Sequence, residues 1–172
     1  MNRKLPTIAL TATYIFTIIA ANWAVENYGL IPVGFGLLAP AGVLFAGLAF
    51  TLRDLLHEAA GLPVVAAAII AGTAVSLAVG DPTLALAAAS AFLLSELADL
   101  AVYTPLRKRR WLLAVGASNI VGLIVDSALF LWLAFGSWQF LPGQVVGKAW
   151  MTVAAVIVLA AIRARRAPQA VA

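Results

Sequence analysis

Six apolar runs, each at least 18 residues long, follow one another in a chain of 172 residues. They are Leu5–Val25, Leu37–Leu56, Leu62–Val79, Pro82–Tyr103, Trp111–Phe135 and Gly143–Ile162. About 20 such residues carry a helix across a hydrocarbon core of about 30 Å. In that core only a helix or a closed barrel satisfies its own backbone polar groups. The expected fold is therefore all-α and integral to a membrane, with six transmembrane helices in a single transmembrane domain over residues 1–172. Composition agrees. Hydrophobic residues make up 64% and charged residues 10%, against about 45–50% and about 25% in a soluble chain. Too few charges remain to cover a water-facing surface.

Turn-forming residues separate the runs. Asn27-Tyr28-Gly29 through Pro32 closes the first, Gly61-Leu62-Pro63 the second and Gly80-Asp81-Pro82 the third. Thr104-Pro105 and the stretch Gly136–Pro142 close the fourth and fifth. Pro40 suits the first turn of the second helix, where a missing N–H is tolerated. The basic residues then fall on one side. Arg3 and Lys4, Arg53, the run Arg107-Lys108-Arg109-Arg110, and Arg163, Arg165 and Arg166 are ten of the 11 Lys and Arg, all on the face that carries both termini. The opposite loops carry Glu26 and Asp81 and no basic residue. The positive-inside rule predicts a multi-pass membrane protein with both termini cytoplasmic. Arg3-Lys4 before an apolar stretch superficially resembles a secretory signal. The run exceeds the usual h-region of about 7–15 residues, so it is expected to remain as the first helix.

Several chemistries are excluded. Without cysteine there is no disulfide or thiolate site, and the lone histidine, His57, cannot build a histidine-rich metal centre. No metal and no cofactor are expected. The net charge of +4 belongs to residues flanking apolar runs, so the partner it implies is the lipid bilayer and not nucleic acid.

What remains is a set of ionisable groups inside the spans: Glu96 and Asp99 on helix four, Asp126 on helix five and Lys148 on helix six. Each unpaired charge near the bilayer centre costs about 2.5–3.5 kcal/mol on insertion scales, so these groups must face a protein interior or a wet cavity. Glu96, Asp99 and Tyr103 share one stripe at i, i+3, i+7, as do Asn119, Gly122 and Asp126, with Ser118 and Ser127 beside them. Lys148 is expected to pair with Asp126 or Glu96. Such a cluster points to a substrate or ion pathway more than to glue between helices.

A second group ends helix two. Asp54 and Glu58 stand at i, i+4, with Arg53 and His57 on the neighbouring stripe and Gly61 as the stop. It reads either as a solvated helix end or as a cytoplasmic gate of Asp54 and Glu58. Asn22 and Trp23 read either as a packed amide with an interfacial anchor or as a hydrogen-bonding and stacking pair for a planar ligand. Gly143-x-x-x-Gly147 permits close helix approach, within one chain or in a homodimer.

At these residues the chain resembles the vitamin uptake transporter family, also called queuosine precursor transporters. The likeness is carried by Arg53-Asp54-Leu55-Leu56-His57-Glu58-Ala59-Ala60-Gly61, by Ser95-Glu96-Leu97-Ala98-Asp99-Leu100-Ala101-Val102-Tyr103, by Ser118-Asn119 with Val125-Asp126-Ser127-Ala128-Leu129-Phe130, by Lys148, and by Asn22. Ala60 stands where many members have tyrosine, and Glu96 where several have glutamine. The resemblance implies uptake of 7-cyano-7-deazaguanine or its aminomethyl relative, with Asn22, Glu96, Asp99, Asn119, Asp126 and Lys148 as substrate-binding residues and no catalysis. A carboxylate accepts the paired N–H groups of a guanine-like edge, and Trp23, Phe92 or Tyr103 would stack on the ring. Three rival readings stay open: the substrate-binding subunit of an energy-coupling-factor importer, an intramembrane aspartyl enzyme using Asp126, and an accessory protein with no ligand.

Overall fold

The computed structural model describes residues 4–79 and 81–166; Arg3 and Gly80 lie outside them. Six helices and one hairpin follow in order: α1 Lys4–Tyr28, β1 Leu30–Gly34, β2 Leu37–Pro40, α2 Val43–Ala60, α3 Leu62–Ala78, α4 Pro82–Leu106, α5 Trp111–Phe135 and α6 Leu141–Arg166. Every expected apolar run contributes a helix. Four of them are long and apolar enough to cross a membrane: Thr7–Tyr28, Pro82–Leu106, Trp111–Phe135 and Leu141–Val158. The other two fall short of that measure. α3 is apolar but has 17 residues, and α2 has 18, with Arg53, Asp54 and Glu58 in its second half.

The main departure from the expected spans is at Leu37–Pro40, which is strand and not helix. Gly34, Phe35 and Gly36 take φ of 100°, 53° and 71°, the left-handed region that glycine enters freely, and they reverse the chain. β1 and β2 pair antiparallel, Ile31 opposite Ala39, with a bulge between Pro32 and Gly34. Pro40 therefore ends a strand, with two residues between it and the start of α2, where it has no ladder bond to break.

The hairpin is fastened to α6. Trp150 Nε1 donates to the Val33 carbonyl at 3.1 Å. A Cβ on Gly143 would collide with the Leu38 carbonyl, and one on Gly147 would lie 2.8 Å from Val43. The small-residue motif of α6 is thus used inside the monomer.

The remaining boundaries follow local chemistry. Gly61, at φ 79°, ends α2 and donates its N–H to the His57 carbonyl at 2.9 Å. The Asp81 carboxylate caps α4 by accepting from the N–H groups of Thr83 and Leu84. Gly136 ends α5 at φ 61°. Tyr14, Ile18, Leu56, Val65 and Ile69 bring α1, α2 and α3 into one apolar core. α4 and α5 lie against each other, with Gly122 seated on Asp99 and Phe50. Large apolar side chains such as Phe16, Ile70, Leu86 and Ile157 face outward, as lipid contact requires. Around the hairpin end Trp23, Tyr28, Phe35, Trp132 and Trp138 are exposed, the aromatic belt of a membrane interface.

Candidate functional site: a cavity above a buried arginine

Helix packing produces two polar layers. The upper one lies toward the hairpin end and surrounds a cavity with about 620 Å³ of empty space, its open mouth included. Its walls come from α1, α2, α3, α4, α5 and α6, and Pro40 of the hairpin contributes to them. The polar side chains on those walls are Thr17, Asn22, Ser76, Glu96, Asp126, Gln144 and Lys148, with Phe92 and Phe130 among the apolar ones. A smaller pocket shares Asn22, Val25, Ala88 and Phe130 with it and reaches Glu26 and Asp81. The cavity thus has a continuation toward the hairpin-end loops.

Lys148 is 1% exposed and pairs with Asp126, which is 14% exposed. Its ammonium also donates to the Ser127 hydroxyl at 2.8 Å. The expected alternative, Lys148 with Glu96, does not form. On the facing side the Asn22 amide donates to the Ser76 hydroxyl at 3.1 Å. Gln144, one turn before Lys148 on α6, is 3% exposed, and its Oε1 has no hydrogen-bond partner among the described residues. A buried amide acceptor left open at a cavity wall costs free energy until something donates to it.

The lower layer is built around Arg53, which is wholly buried. Its Nε donates to Glu96 Oε2 at 2.8 Å, Nη1 lies 2.5 Å from Asp54 Oδ1, and Nη2 pairs with Asp99. The Ser118 hydroxyl donates to Asp54 at 3.4 Å, and the Tyr103 hydroxyl to the Asp54 carbonyl at 3.3 Å. Trp111 Nε1 donates to Tyr103 at 3.1 Å, and the Asn119 amide to Thr51 at 3.0 Å. One guanidinium fork thereby ties α2 to α4 and, through Ser118, to α5.

The expected site residues accordingly divide. Asn22, Glu96, Asp126, Lys148 and Phe92 meet at the cavity. Asp99, Asn119 and Tyr103 lie in the layer beneath, where protein atoms already engage them; the Tyr103 ring rests 5.2 Å from His57 and has no open face for a ligand. Trp23 is half-exposed and meets Tyr28 edge-on at 5.4 Å, outside the cavity. The pair expected as a cytoplasmic gate also separates. Asp54 is wholly buried, whereas Glu58 is 48% exposed and 3.7 Å from Arg107.

Arg53 itself corrects the sequence expectation, which counted it among the flanking basic residues. Because α2 starts at Val43 and not at Leu37, Arg53 falls in the body of the helix. The signal lay in Pro32, Gly34, Gly36 and Pro40, which mark a hairpin where a helix start was read. Gln144, Ser76 and Phe130 were not anticipated. Gln144 stands at i, i+4 to Lys148 and was visible by spacing alone.

A family profile described as "Putative vitamin uptake transporter" matches residues 79–164. That segment contains α4, α5 and nearly all of α6, hence Glu96, Asp126, Gln144 and Lys148. No curated protein and no solved structure matches the chain. With half of its length matched, and with long apolar helices around a cavity that Glu96, Asp126 and Lys148 line, this multi-pass membrane protein belongs to the vitamin uptake transporter family.

Proposed function

We propose that this chain imports 7-cyano-7-deazaguanine, or its aminomethyl relative, across a bacterial inner membrane, using the cavity as its substrate site. All six helices span in this reading. α2 and α3 supply about 27 and 25 Å at 1.5 Å per residue, and the hairpin completes the thickness beside α2. Both termini are cytoplasmic, because the basic residues cluster at that end, and the cavity therefore opens toward the outer side.

The observation that carries the proposal is the Lys148–Asp126 pair standing in the wall of a partly open cavity, with the Asn22 and Gln144 amides and the Glu96 carboxyl around it. Charges are costly at this depth, and the position of Asp126, 14% exposed at the cavity wall, supports a binding role over simple helix glue. A guanine-like edge presents an N–H beside an exocyclic amine, which the Asp126 carboxylate, partly exposed at the cavity wall, accepts. Gln144 Oε1 offers a further acceptor, and Phe92 or Phe130 a ring for stacking. A site of this kind rejects analogues that leave its buried groups unpaired.

The test uses a bacterium that neither makes nor imports the deazaguanine. Expression of this chain with nanomolar precursor should restore the modified tRNA base, and Asp126→Asn, still inserted in the membrane, should not. Restoration by Asp126→Asn at the wild-type level would remove the cavity from the transport route. Because the chain has no cysteine, a single cysteine placed at Phe35 gives the orientation. A membrane-impermeant maleimide should label it from outside.

A further inference from the structure

We propose that Glu96 is a proton-binding site joining the cavity to the Arg53 cluster, so that uptake is coupled to inward proton movement; this rests on the transport reading above. The argument is one of charge balance. Asp54, Glu96 and Asp99 all pair with one cation, Arg53, and all four side chains are 0% exposed. Three ionised carboxylates would leave two uncompensated negative charges on side chains with no exposed surface. Groups in that position bind a proton rather than remain charged.

Among the described residues no neighbouring element supplies the missing positive charge. From α1 comes the Tyr14 hydroxyl, a neutral group that faces Glu96. α3 carries no ionisable residue. From α5 come Ser118 and Asn119, both neutral, and Asp126, which is occupied by Lys148 of α6. On α4 itself stand Asp99 and Tyr103, and on α2 His57, whose ring packs on Tyr103 and forms no pair with a carboxylate. The cluster is therefore two cations short, and protons fill the deficit.

Geometry selects Glu96 as the exchangeable position. Asp54 and Asp99 are absent from the cavity wall, whereas Glu96 lines it. Its Oε2 is held by Arg53, while its Oε1 is buried and has no hydrogen-bond partner among the described residues. A proton arriving through the cavity binds at Oε1. Arg53 stays paired with Asp54 and Asp99, which share the second proton away from the cavity. Glu96 is thus the one acid that senses both the cavity and the layer that seals it.

The experiment uses the full chain reconstituted in lipid vesicles, with 7-cyano-7-deazaguanine as probe. Counterflow exchange at equal pH first establishes transport. An alkaline interior should then raise the accumulation ratio, up to about tenfold per pH unit for one proton per substrate, and a protonophore should abolish the rise. Exchange without any response to the pH gradient overturns the proposal, as does accumulation that follows a sodium gradient instead.

Absence of exchange overturns the transport reading. The proton site is then judged without substrate, by the infrared carboxylic-acid stretch of the purified chain at neutral pH. The wild type should show protonated carboxyl, and Glu96→Gln should lose about half of that band. A wild type lacking the band, or a band unchanged in Glu96→Gln, sinks the proposal.

Discussion

Two buried cations in this molecule meet different surroundings. Lys148 faces a single carboxylate, Asp126, which keeps 14% of its side chain exposed beside the cavity. Arg53 faces three carboxyls with no exposed surface at all, and it holds α2 against α4. The first arrangement is balanced and open on one side, so a ligand can exchange partners with it. The second is over-supplied with acid and has no exposed side chain, and its one guanidinium is spent on protein carboxyls. Openness and stoichiometry together separate the part proposed to handle substrate from the part that holds the helices beneath it.

The comparison breaks most visibly at Arg53. Arg53→Met leaves three buried carboxyls with no cation and should lower unfolding stability by about 3–5 kcal/mol, read by denaturation of the intact chain in detergent. Arg53→Lys keeps the charge but not the planar fork, and should fall between. A wild-type melting curve for Arg53→Met would mean that the cluster is not sealed.

Lys148 should behave differently. Lys148→Met leaves Asp126 without its cation but within reach of cavity water, so the expected loss is about 1–3 kcal/mol with uptake abolished. Adding Asp126→Asn to it should recover most of the stability and none of the uptake. Recovery of both in the double variant would make the pair mere glue, and the contrast with Arg53 would collapse.

Much of this was legible before any coordinates. The six runs became six helices because apolar length and turn residues are local properties, and scarcity of ions narrowed the partner of Lys148 to Asp126 or Glu96, of which the fold uses Asp126. What spacing could not deliver was the phase of the charged stripes about each axis. Glu96 and Asp99 share a stripe, yet Glu96 reaches the cavity while Asp99 is covered by Gly122 and Arg53. The hairpin was hidden for a related reason. Leu37 and Leu38 are as apolar as the helix that follows, so hydropathy ran through a boundary that Gly34 and Gly36 impose by backbone conformation. Trp23 shows the converse error, since an aromatic beside a polar amide suits an interface belt as well as a ligand.

Two glycines of α5 sharpen the distinction between covered and open faces. A Cβ on Gly122 would lie 3.0 Å from Asp99 and 3.1 Å from Phe50, so Gly122→Ala should cost about 1–3 kcal/mol by overpacking against the Arg53 layer. Gly116 meets nothing within 4 Å. There Gly116→Ala should stabilise the helix, by at most about 1 kcal/mol. Equal effects at the two positions would mean that the α4–α5 contact is looser than described.

The smallest effect belongs to the residue that sequence paired with Asp54. Glu58 stands at the end of α2, 48% exposed and 3.7 Å from an Arg107 that is itself 25% exposed. Ion pairs in such solvent contact contribute about 0–1 kcal/mol, so Glu58→Gln should scarcely move the melting curve and should leave uptake intact. Asp54→Asn, one turn earlier, removes a charge that Arg53 uses in a sealed layer, and it should cost both stability and transport. If Glu58→Gln alone stopped uptake, the controlling acid would lie at the helix end, in water. The closed floor would then have to be drawn at the Glu58–Arg107 contact rather than at Arg53.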